Sequence, residues 1–167
     1  MVEQSLQPIL DLMDMQIKEH GELLELSYEK GQVIIKNDTE RLNEIVQQEL
    51  RHLSAINKIE KKRIGVLAEI SKEIGMAAED VTVGVLAEHA GGETRDKLEY
   101  AQKELLGILR TQSELNEANR KLIETQLEFS DAMLNLLVGD GETTDNFYGA
   151  DGKSGKTKTD GRFKKEI

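Results

Sequence analysis

The chain contains no cysteine and no tryptophan, a single proline, and only 4% aromatic residues among its 167. Without cysteine there are no disulfides, no thiolate metal sites and no sulfur nucleophile, and a reducing compartment is allowed. Scarce proline and aromatics beside 32% charged residues is the profile of long helices around a thin core. Long apolar runs are missing too: no window reaches the roughly 18 residues of a membrane span, and MVEQSLQPIL has neither a basic start nor a sustained apolar stretch. The expectation is a cytoplasmic protein with no membrane insertion. Basic residues are in deficit, giving a formal charge of −10. The last 29 residues hold six acids and six bases, so the whole surplus lies in residues 1–138. Such a body repels phosphate backbones, and nucleic acid is not an expected partner.

What the chain does have is helical periodicity. Apolar residues recur from Leu6 through Leu10, Met13, Ile17, Leu24, Tyr28 and Gly31 to Ile35, with Leu12, Leu23, Leu26 and Val33 widening the face. This predicts a first helix over 5–36. It breaks at KNDTE, where Asn37 can cap the next helix and Glu40 can close a capping-box-like exchange. The second helix, 38–75, should turn Leu42, Val46, Leu50, Leu53, Ile56, Ile59, Leu67 and Ile70 inward and stop at Gly75. A connector holds one short helix over 82–89 capped by Thr82, and Gly91-Gly92 then frees the chain. In the third long helix, 93–138, a 3,4 alternation runs from Leu98 through Ala101, Leu105, Ile108, Gln112, Leu115, Asn119, Leu122, Gln126, Phe129 and Met133 to Leu136 without a slip. One half of that seam is apolar; the other carries the amides Gln112, Asn119 and Gln126, which cost stability while fixing register or partner. The fold expected is all-α: an elongated antiparallel three-helix bundle over 1–138, with a disordered tail over 139–167 that is rich in glycine and charge.

Motifs for catalysis fail one by one. GKSGKT resembles a phosphate loop, but the glycine needed five positions earlier is replaced by Phe147 or Ala150, with no strand before and no helix after. Of His20, His52 and His89, only His89 is followed at i+3 or i+4 by a carboxylate, Glu93, and the double glycine intervenes, so no metal or other cofactor is expected. A histidine phosphotransfer site would place lysine at +3 and glycine at +4, whereas those positions hold Leu23 and Leu24, Ala55 and Ile56, and Gly92 and Glu93. The carboxylates alternate with Lys and Arg on exposed helix faces. Nothing here supports an enzyme.

The end of the third long helix is different. Met133, Leu134, Leu136, Leu137 and Val138 cover most of its circumference, more than one neighbouring helix can bury. That helix also exceeds the second by about ten residues, an overhang on the order of 15 Å at 1.5 Å per residue. A projecting apolar end calls for a partner.

LNEANRKLIETQLEFSDAMLNLLVG followed by YGADG resembles the C-terminal half of the FlgN family of flagellar export chaperones, which show an Asn-x-x-Leu-Ile core on the last helix, a leucine pair and a Tyr-Gly element in the tail. SYEKGQVIIKNDTERLNEIVQQELRHLSAINKIEKKR is similar to that family's first two helices. The resemblance implies a cytoplasmic chaperone that binds the C-terminal segments of the hook-filament junction proteins FlgK and FlgL, one to one. It would prevent their premature assembly and deliver them to the export gate FlhA. By position it puts Asn119, Leu122 and Ile123 on the client-binding core, joined on the residues' own pattern by Phe129, Met133, Leu136 and Leu137. It places Tyr148, with its neighbours Phe147 and Gly149, at the gate. The alternative is a coiled-coil adaptor or scaffold that self-associates through the amide-bearing seam into a stable homodimer; for the chaperone, a weak homodimer is allowed.

Overall fold

In a computed structural model of the chain, residues 2–138 are described, with side chains from Leu6 onward. They form four α-helices: α1, Val2–Ile35; α2, Thr39–Ile74; α3, Val83–His89; and α4, Gly92–Val138. A 3-10 turn, Ala78–Asp80, lies between α2 and α3. No strand occurs among the described residues, so the fold is all-α as expected. The chain divides into two compact units, Met1–Leu127 and Glu128–Ile167. Of the second, only residues 128–138, the last turns of α4, are described; the tail expected to be disordered lies outside the described residues.

The turn between α1 and α2 is a Schellman motif. Asn37 takes the left-handed conformation at φ 55°. The amide groups of Asn37 and Asp38 reach back to the carbonyls of Ile34 and Val33 at 3.0 and 3.2 Å, satisfying acceptors that the helix end leaves open. The α2 cap is therefore Asp38, whose side chain accepts from the Arg41 backbone N–H at 3.0 Å. Asn37, the expected cap, closes α1 instead, because Asn tolerates positive φ better than Asp38 or Thr39 would. Gly75 ends α2 at φ 70° and Thr82 caps α3 through Val85 N–H at 3.3 Å, both as expected.

Pairings fix the helix directions within the first unit. Gln16 reaches Glu60, Glu19 reaches His52, and Lys30 reaches Glu49, so α2 runs antiparallel to α1. Leu10 lies beside Ala101 and Gly31 beside Asn119, and Ser27 meets Asn116, so α4 runs parallel to α1. At this offset Ile35, the last residue of α1, is level with the stretch around Gln126. The main core lies where α3 closes one end, uniting Leu6, Ile9, Met13, Ile70, Leu86 and Leu98, among others. A smaller cluster of Leu26, Val33 and Ile45 sits under the α1–α2 turn.

The inner face of α2 departs from expectation in its first half. Val46, Leu50 and Leu53 are 39, 53 and 48% exposed, while Ile45 is fully buried. The α1 residues that meet α2 (Gln16, Glu19, Lys30) and those that meet α4 (Leu10, Ser27, Gly31) are centred roughly 100° apart at 3.6 residues per turn. The face of α2 bearing Ile45, Glu49 and His52 turns to α1, and the Val46–Leu50–Leu53 stripe keeps an open side. Tyr28 and Ile35, expected inward on α1, are 55 and 56% exposed.

Candidate interaction surfaces

The seam of α4 divides sharply along its length. Leu98, Ala101 and Asn119 are buried, and Leu105, Ile108, Gln112, Leu115, Leu122 and Gln126 are half-buried. The next seam positions, Phe129, Met133 and Leu136, are exposed. The same periodicity thus continues through two environments.

Within Met1–Leu127 the amide half of the seam is turned onto α1. Asn119, 4% exposed, donates from Nδ2 to the Ser27 carbonyl at 2.8 Å. Gln112 Nε2 donates to Ser27 Oγ at 2.6 Å and to Asn116 Oδ1 at 3.2 Å. Two small residues one helical turn apart, Ser27 and Gly31, admit these side chains. A Cβ at Gly31 would stand 2.8 Å from Asn119 Oδ1. The roles of Ser27 and Gly31 were not readable from the chain alone; their i, i+4 pairing of small residues in a large-residue stripe was the available signal.

Near the α3 end, a cavity of about 280 Å³ is lined by Ile9, Met13, Leu67 and Leu86, with His20, Glu60 and Arg63 at its polar side. Burial holds the His20 imidazole below its ordinary pKa, because a charged ring loses hydration there. Arg63, bonded to Glu60 at 2.6 and 2.9 Å, keeps that carboxyl below the usual range, helped by Gln16. No cluster of three potential metal ligands occurs among the described residues. None of their helices is long and apolar enough to cross a membrane.

The last turns of α4 present a different surface. Leu136 and Leu137 are each 79% exposed, and Phe129, Met133, Leu134 and Val138 are also open. Of the residues expected to bind a client, these turns bring together Phe129, Met133, Leu136 and Leu137. Asn119 is enclosed against α1, Leu122 is half-buried and Ile123 is 40% exposed. Phe147, Tyr148 and Gly149, expected to meet the gate, lie outside the described residues.

The described residues are helical and end in a bare apolar surface at residues 129–138, the kind of surface on which a protein partner can dock. The family model for the FlgN protein matches residues 1–156, and the chain belongs to the FlgN family. FlgN proteins are flagellar export chaperones rather than enzymes. An uncharacterized Bacillus subtilis (strain 168) protein, YvyG, is 28% identical over 119 residues, which span 71% of this chain and 72% of that protein. No solved structure matches the chain.

Proposed function

We propose that the protein is a cytoplasmic chaperone that binds the C-terminal segments of the junction proteins FlgK and FlgL and hands them to the export gate FlhA. The observation that carries this reading is the bare apolar surface of residues 129–138 on a member of an export-chaperone family. An amphipathic client helix laid on Phe129, Met133, Leu136 and Leu137 would bury four large side chains, roughly 6–12 kcal/mol gross at about 1.5–3 each. Association entropy removes much of that, leaving the reversible affinity a carrier needs. The gate contact is assigned to Phe147, Tyr148 and Gly149, where an aromatic pair can fill a pocket.

The test is calorimetric titration with C-terminal peptides of FlgK and FlgL. Saturable one-to-one binding that is lost in Leu136→Asp/Leu137→Asp supports the client surface; no binding by folded protein rejects it. Tyr148→Ala should spare client binding and reduce export in a motility assay, and unchanged export would reject the gate assignment. The second reading remains the self-associating scaffold; Gln112 and Asn119 bond to Ser27 of the same chain, and a stable homodimer in light scattering that resists added junction-protein peptides would favour it.

A further inference from the structure

We propose that the contact of Gln112 and Asn119 with Ser27 and Gly31 is a catch, and that the part of α4 following Ala101 swings reversibly away from α1 when it is released.

The two halves of the α1–α4 contact are built differently. Leu98 and Ala101 belong to the main core. Past Ala101, the only buried residue of α4 is Asn119, and neither apolar cluster includes an α4 side chain from that stretch. What remains is a row of half-buried seam residues and the amide contacts on Ser27. Hydrogen bonds of this kind are directional and give little net stability, since water offers the same groups partners once the helices part. The closed state also carries a cost: Gln112 Oε1 is buried without a partner, and opening would hydrate it. A segment with few buried apolar contacts and a strained polar balance sits at the low end of local opening free energies. The core around Leu98 and Ala101 supplies the fixed end.

Gly31 is what makes the catch close. Its missing Cβ leaves the space that Asn119 Oδ1 occupies, 2.8 Å from where that carbon would be. Any side chain at position 31 forces Asn119 Oδ1 to shift and so disturbs the amide that bonds the Ser27 carbonyl. Release uncovers the apolar half of the seam, Ile108, Leu115 and Leu122, so the catch governs when this second apolar face is presented. This inference does not depend on the client reading, and its failure would leave that reading untouched.

Hydrogen exchange on the full chain is the test. Amides of 112–126 should exchange at least about tenfold faster than those around Leu98–Ala101, although both lie in one helix. Gly31→Ala should raise exchange in 112–126 by a further factor of roughly ten, with helicity by circular dichroism and protection near Leu98 unchanged. Adding Asn119→Ala to Gly31→Ala should produce no more opening than Asn119→Ala alone, since the clash is then gone. As the chain has no cysteine of its own, a Gly31→Cys/Asn119→Cys pair can be oxidised cleanly, with a small backbone shift to bring the two Cβ atoms into disulfide range. Oxidation should bring 112–126 to the protection of the core end, and reduction should restore fast exchange. Uniform protection along α4, an additive double variant, or oxidised protein that still opens would each overturn the catch.

Discussion

Lys30 on α1 and Glu49 on α2 form an ion pair at 2.5 Å, with side chains only 17 and 15% exposed. The other ion pairs between Lys or Arg and acids on the described helices are more open to water, where screening leaves such pairs worth little. Removing one partner of a sheltered pair strands the other charge. Lys30→Met or Glu49→Leu alone should each cost about 1–3 kcal/mol, and the double change should cost less than the sum. Urea denaturation of the four proteins measures this; strict additivity would show that the two charges do not depend on each other.

The orientation of α2 makes a second contrast. Ile45→Ala removes a fully buried side chain and should cost about 2–5 kcal/mol. Leu50→Ala, at a position 53% exposed, should stay within about 1 kcal/mol. Reversed magnitudes in thermal unfolding would mean that the opposite stripe of α2 faces α1.

At the α1–α2 turn the two neighbouring residues should respond oppositely to loss of their side chains. Asp38→Ala removes the α2 cap and should cost roughly 1 kcal/mol. Asn37→Gly should be neutral or slightly stabilising, because glycine adopts φ 55° without strain. Asn37→Val should cost about 1–2 kcal/mol at the same backbone geometry. Equal losses at both positions would remove the distinction between helix closer and helix cap.

His20 predicts a pH dependence. Its folded-state pKa is lowered below 6.5 by burial, so the unfolded chain binds more protons in the interval between the two values. Stability is therefore full above the unfolded pKa and is lost as pH falls through the folded one. Glu60 and Arg63 line the same cavity. The depressed Glu60 carboxyl adds its own loss only further down, below the ordinary carboxylate range. Melting temperature should decline from pH 7 toward pH 5, and His20→Gln should flatten that decline while leaving the steeper loss at lower pH. An unchanged slope in His20→Gln would assign the effect elsewhere.

How much of this was legible depends on how local each signal is. The α4 seam was readable through Gln126 because a 3,4 alternation is a property of one helix and needs no knowledge of its neighbour. The same alternation runs on through Phe129, Met133 and Leu136, so spacing alone did not mark the change to an exposed surface; the concentration of apolar residues around the circumference did. The α2 face was misread because Val46, Leu50 and Leu53 form a good apolar stripe, whereas the stripe that meets α1 mixes Ile45 with Glu49 and His52. Those polar residues qualify for an interior face only because Lys30 and Glu19 stand opposite, 19 and 33 residues away. In the same way, the amides of α4 were visible as a cost, but the group that satisfies Asn119 lies 92 residues earlier. The FlgN resemblance was carried by a few residues of the last helix and tail, and the family match extends it over 1–156.

The placement of the two apolar clusters has a consequence for the order in which the chain assembles. The cluster under the α1–α2 turn is complete once residues 26–45 exist, whereas the larger one draws on both Leu6 and Ala101. Loop closure favours the short connection, and topology delays contacts between distant residues. We expect φ-values near one half or above for Ile45→Val and near zero for Leu98→Ala. On a ribosome, the hairpin of α1 and α2 would then stand alone, with the seat for α4 uncovered, until Leu98 leaves the exit tunnel.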